Sequence, residues 1–505
     1  MASRARRDIK RNLLLILLAL VALGGLIAFV GVVQGGSAPV LMPEERTRFL
    51  ERRANAADNG FADLLEASKV LEGLGPAPLC DDLLKTGKLN LQRPASPQNP
   101  LETSAALARY LGENSFCPND DPRFREYMDK TKQVLPAVQA ALAKPFILHS
   151  SMSIAEVPEQ PDPLAPVEHL LRHMCTCARY ESIVVGDTAN ATSLLQNAFA
   201  VSRKLEESGS FILRVGNSSQ PTGREGFFRF GLSQSARCLW TAIPVVAKYA
   251  VDRNEPLDAL LEMTRSTVEE APDRSALFLA YCMMLDDVME GVQVPSGMDF
   301  GHRLIMAIMA RNARRDARIL ADQETAIREA VNGPLDELSS ELRSIAGERA
   351  FLGPRFMTLT MALLNVRSVI EGHKMAAGLA VRLEAFRKDH GDYPEKLEEL
   401  VPQYLSKIPA MPMAHIGGGM MGGMAGFGRN ASVPQSAPKA PEGSSSGPPP
   451  VYEKFKEGYV ISEGGASSMP DTRRPYYRGD DFSLDMRAIP APNVAAGAGL
   501  ALPPG

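Results

Sequence analysis

The sequence predicts a mainly α protein that ends in a small α+β module. Three observations lead there. Apolar residues recur at helical spacing through the middle of the chain, as at Leu194, Leu195, Ala198, Phe199 and Val201. Aromatic residues are sparse, at 6% with a single Trp, which suits helices better than a barrel or sandwich. The helical pattern then gives way to a turn, a low-complexity stretch and short strand-like runs. With 505 residues there is chain enough for several domains and a sizeable core. A formal net charge of −4 argues against a dedicated nucleic-acid binder, which carries a strongly basic face. Six cysteines are too few for a disulfide-built scaffold.

Residues 1–12 read as a basic cytoplasmic tail, with Arg4, Arg6, Arg7, Lys10 and Arg11 against Asp8. Residues 13–33 follow as a transmembrane helix. Leu13–Val33 is 21 residues without a polar side chain, and at about 1.5 Å per residue it matches the ~30 Å of a bilayer core. A secretory signal has a shorter apolar run and a small-residue cleavage site. Here Gly36-Ser37-Ala38 is followed by Pro39, so an uncleaved signal anchor is expected. Positive-inside asymmetry then puts the bulk of the chain outside the cytoplasmic membrane, with the bilayer as its first partner.

Residues 34–160 form a helical and irregular membrane-proximal region. Pro43–Leu74 is expected to be helical, and Phe124–Ala143 to be a helix interrupted at Pro136. Pro158–Pro166 marks a linker. Residues 161–350 are expected as a stack of helical hairpins: Val167–Val185, Thr188–Glu207, Leu232–Val251, Leu257–Glu270 and Ser275–Glu290, then Phe300–Ala330 and Pro334–Arg349. Residues 351–409 hold one long helix, Pro354–Asp389, and a Tyr-Pro turn. Gly391 caps the helix in a left-handed conformation, Tyr393-Pro394 turns the chain, and Glu395–Val401 starts a short second helix. Leu397, Leu400 and Leu405 are expected to pack back on Phe386. Residues 410–450 are rich in Gly, Met, Pro and Ser and cannot bury enough apolar surface to offset ordering entropy, so they read as a disordered insertion. Residues 451–490 are a short β segment, with Gly458–Ile461 and Phe482–Met486 strand-like, and residues 491–505 a loose tail.

The turn residues carry a resemblance. Asp389, Gly391, Tyr393, Pro394, Leu397, Leu400, Val401, Pro402, Tyr404, Leu405 and Pro409 resemble the C-terminal domain of the type II secretion major pseudopilin. Gly458-Tyr459-Val460-Ile461-Ser462 and Gly479-Asp480-Asp481-Phe482 resemble its closing strands, and the likeness covers about a quarter of the chain. There are departures. The pilin methylation motif is absent, the apolar segment lies far upstream of the turn, Ala410-Met411-Pro412 replaces the family's Asp-Pro-x-Gly, and Met413–Pro450 splits the domain. The resemblance implies a calcium-binding loop. The corresponding loop, Gly464–Arg478, holds only Asp471, which leaves Asp480 and Asp481 as the carboxylates for such an ion. One apolar segment, a helical middle and this turn also resemble planctomycete-type single-pass envelope proteins, with Leu194–Leu205, Leu257–Leu261 and Glu384–Pro409 carrying the likeness. That resemblance implies architecture and no reaction.

Other residues invite chemistry and mostly have a plainer reading. His173, Cys175 and Cys177 are metal-capable, but residues two apart on a helix point apart, so buried helix residues are expected. Asp286, Asp287 and Glu290 resemble an Asp-rich diphosphate motif of prenyl-diphosphate enzymes, without the second helical copy those enzymes carry. Met411, Met413, His415, Met420, Met421 and Met424 offer soft ligands for copper(I). Cys80 and Cys117 lie in polar, Pro-flanked stretches and are the pair that could form a disulfide. The reading this supports is not an enzyme but an extracytoplasmic scaffold in the envelope, possessing a protein partner beside secretion or pilus machinery. A metal-responsive protein using calcium or copper is the alternative, and a prenyl-diphosphate-type enzyme the third.

Overall fold

The computed structural model describes residues 47, 51–52, 55–74, 122–148, 165–207, 231–270, 324–332, 353–410, 449–456, 458–462 and 483–486. The expected anchor at 13–33 lies outside these, and among the described residues no helix is long and apolar enough to cross a membrane. The described chain is mainly helical, with one small antiparallel sheet.

The first helices are α1 (Phe61–Gly73), α2 (Pro122–Thr131) and α3 (Leu135–Ala143). α1 turns Phe61, Leu64, Ala67 and Leu71 inward at helical spacing. Asn59 ties its start to the extended segment that follows α3: its amide donates to the Leu148 carbonyl at 2.6 Å and its side-chain oxygen accepts from the Leu148 amide at 2.9 Å. The interruption expected at Pro136 falls earlier, in a 3-10 turn at Lys132–Val134. Pro136 instead sits in the first turn of α3, where its missing N–H costs no helical bond.

α4 (Ala165–Tyr180) continues into a π-helical turn at Glu181–Val185, so the helix expected over Val167–Val185 loosens in its last turn. Gly186, at φ 86°, ends it in the left-handed region. α5 (Thr188–Glu207) has the expected bounds, and Asp187 Oδ1 accepts from the Asn190 amide at 2.9 Å as its N-cap. α6 (Gly231–Asp252) carries Pro244 in its interior. The helix expected over Leu257–Glu270 is two short ones, α7 (Asp258–Met263) and α8 (Ser266–Glu269). The break lets the helix that carries Gly378 come close: a Cβ there would collide with the side chains of Thr267 and Val268. α9 (Glu324–Asn332) precedes the long α10 (Gly353–His390), whose 38 residues rise about 57 Å.

α4 and α5 form a hairpin, α6 packs on both, and α10 lies along α6. Residues from either side of Pro158–Pro166 share one apolar core, which joins Leu64, Tyr127, Val138, Leu170, Leu195, Trp240, Ile243 and Val381. A second cluster lies under the C-terminal turn. There the sheet runs β1 (Val451–Phe455), β2 (Gly458–Ser462) and β3 (Ser483–Asp485), all antiparallel, with Val451 opposite Ser462 and Ile461 opposite Leu484. Tyr459, Ile461, Leu484 and Met486 are buried against Val245, Leu379 and Leu383.

The helix ends share a device. Unpaired carbonyls at a helix C-terminus attract cations. Lys204 of α5 donates to Leu142 O at 2.7 Å and also to Lys144 O, closing α3. Arg253 donates to the Ser182 and Ile183 carbonyls at the end of α4. Arg52 closes α5 at Glu207 O, 3.0 Å away, and Lys388 of α10 reaches Glu255 O just past α6 at 2.7 Å.

Candidate functional site

The sequence singled out the turn after the long helix, and a group of buried and part-buried charges lies beneath it. α10 stops where Gly391, at φ 85°, lets its amide donate back to Arg387 O at 2.8 Å. The chain then turns through Tyr393-Pro394 into a 3-10 turn at Leu397–Leu400. Leu397, Leu400 and Leu405 are buried in the second apolar cluster with Phe386 packed against it, as expected.

This turn aims Tyr393 inward, where its hydroxyl donates to Glu384 Oε1 at 2.9 Å. The Glu384 side chain has no exposed surface, and its other oxygen accepts from Arg387 Nε at 2.8 Å. Arg387 also reaches Asp252 Oδ1 at 2.7 Å and Lys248 O at 3.2 Å, so one guanidinium joins α10 to the end of α6. Its Cζ lies 5.3 Å from the Tyr393 ring centre. Tyr459 meets Tyr393 edge-on at 5.0 Å and donates to Ala380 O at 3.3 Å, which brings β2 onto the same group. Burial raises the Glu384 carboxyl above its ordinary value, outweighing the pull of Arg387 and Lys248 in the other direction. Burial likewise keeps the Tyr393 hydroxyl protonated far beyond its usual range, so it remains a donor. At the rim, Lys454 of β1 bridges Asp392 at 2.9 Å and Glu395 at 2.8 Å. The Tyr404 hydroxyl bonds to Asp389 at 2.6 Å. Chemically this is a clasp: paired charges and aromatic donors that hold turn, sheet and helical stack together.

The second polar cluster lies on α4. His173, Cys175 and Cys177 are all buried, as helix residues in that pattern should be. Cys177 Sγ lies 3.4 Å from Thr131 Oγ1, and burial pushes its thiol up to about 12. His173 is held neutral, its pKa lowered by burial to about 4. Among the described residues no three His, Cys, Asp or Glu side chains converge as metal ligands.

Most residues that the sequence offered for chemistry lie outside the described residues. These are Asp480 and Asp481, the Cys80 and Cys117 pair, Asp286, Asp287 and Glu290, and the Met/His run from Met411 to Met424. Sequence reasoning missed Glu384, Arg387, Asp252 and Lys248. The available signal was the i, i+3 spacing of Glu384 and Arg387 just before the turn, which puts both on one helix face. Compared with family models, curated proteins and solved structures, the chain matches none.

Proposed function

We propose that this chain is a membrane-tethered interaction scaffold of the cell envelope, working beside secretion or pilus machinery. The observation that carries the reading is the clasp of Glu384, Arg387, Asp252 and Tyr393, which joins a Tyr-Pro turn and three-stranded sheet to a helical stack. A buried charge group of this kind spends its residues on holding two parts in register, which a scaffold needs. The tether is residues 13–33, preceded by the basic run Arg4–Arg11. The turn and strand residues support a pseudopilin-like face for a partner segment.

The test is a crosslinked pull-down of the full-length chain from its native membranes. Reproducible recovery of secretion or pilus components, lost when Tyr393→Ala loosens the clasp, is the expected result. Recovery of background alone, from a chain shown to be folded and membrane-bound, overturns the proposal.

A further inference from the structure

His173 stands on the face of α4 that α2 covers. Three contacts run along that face at positions i, i+4 and i+8. The Tyr127 ring meets His173 edge-on at 6.0 Å, Thr131 meets Cys177 at 3.4 Å, and Lys132 meets Glu181 at 3.3 Å. α2 is a polar helix. Its side chains Arg125, Glu126, Asp129 and Lys130 are exposed, while Tyr127, Met128 and Thr131 are buried. A short helix with four charged side chains in solvent opens more readily than the long core helices. His173 is 5% exposed, and its Nε2 has no hydrogen-bond partner among the described residues.

We infer that the α2 leg, Pro122–Val134, is an acid-released element of the stack: a proton taken up at His173 drives it off α4. An imidazolium carries a second N–H donor and a full charge, and among the described residues Nε2 has no acceptor. Opening the leg exposes both to solvent. The other ionisable groups around the site do not relieve the charge. α2 contributes Tyr127, the following turn contributes Lys132, which already bridges Asp129 and Glu181, and α4 itself carries His169, Arg172 and Cys177. α1 turns Phe61, Leu64, Ala67, Ser68 and Leu71 inward and α5 buries no ionisable group. On α6, Cys238 acts on Cys175, and Lys248 acts on Glu384. Burial alone sets the imidazole, between 6.5 in the open leg and about 4 in the closed one. That difference makes opening about 20-fold more frequent at pH 5 than at pH 7.

The test is amide hydrogen exchange on the full-length chain in bilayer discs, corrected for the intrinsic pH dependence of exchange. Protection over residues 122–134 should fall about 20-fold from pH 7 to pH 5, while α5 stays protected. In His173→Leu the fall should vanish. Unchanged protection of the wild-type leg at pH 5 overturns the proposal. An equal fall in His173→Leu overturns it too. His173→Phe serves as a second non-titrating variant if the leucine chain does not fold.

Discussion

The clasp under the turn and the α2–α4 face bury ionisable groups in opposite ways. Glu384 has no exposed side-chain surface, yet it is ringed by Arg387, Tyr393 and the nearby Lys248. His173 is nearly as buried, meets a tyrosine ring edge-on, and has no hydrogen-bond partner at Nε2 among the described residues. One site gives its ionisable group partners, even though burial still raises its carboxyl, and the other leaves its imidazole without a partner at Nε2 among the described residues. Burial by itself therefore says little about what a titratable side chain does. The set of donors and acceptors brought to it decides whether it acts as a fastening or as a weak point.

Breaking the cage should have the largest effect. Arg387→Met leaves Glu384 and Asp252 without their cation, and the full chain should lose about 3–5 kcal/mol in denaturant unfolding. A loss below ~1 kcal/mol would mean that the clasp is not held by its charges. Glu384→Gln keeps the shape and removes the charge, at about 1 kcal/mol near neutral pH. Its pH dependence sharpens the comparison. Glu384 titrates higher folded than unfolded, so its contribution is fully present below the ordinary carboxylate value and is lost as pH rises through the folded one. Wild type should thus gain on the glutamine variant as pH falls from 7 towards 4.5, read as the difference in Tm between the two. Lys454→Ala removes a bridge to two well-exposed carboxylates, and a thermal melt should show only a small shift that shrinks with added salt. His173→Leu is expected to change neutral-pH stability least, by less than about 1 kcal/mol, because no hydrogen bond is lost at Nε2. A large loss there would show that the imidazole is a structural partner after all.

Local signals were legible in the sequence. α5 was readable to its bounds because its apolar spacing runs between Asp187 and Glu207 without competition. Gly391, Tyr393 and the three leucines of the turn were readable because glycine caps and X-Pro turns act within a few residues. The misplaced features depend on distant groups. The π-helical turn after Tyr180 has its carbonyls taken by Arg253, and the split between α7 and α8 accompanies the close approach of Gly378. Half of the clasp was hidden for the same reason. Glu384 and Arg387 share a helix face and can be read as a pair, whereas Asp252 and Lys248 come from α6, and no local pattern links them to the turn. β1, with its mixed polar residues, reads as strand only once β2 is beside it.

The crossing cations at the helix ends have a consequence for how such a chain can be divided. In a modular repeat array each unit contacts its neighbours alone, and units can be added or deleted. Here Lys204 holds the end of α3, Arg253 that of α4, Arg52 that of α5 and Lys388 that of α6. Each stitch runs between segments that are not consecutive in the chain. A cut between hairpins would leave frayed carbonyls on one piece and stranded lysines or arginines on the other, so the stack behaves as a woven block and not as a row of interchangeable units.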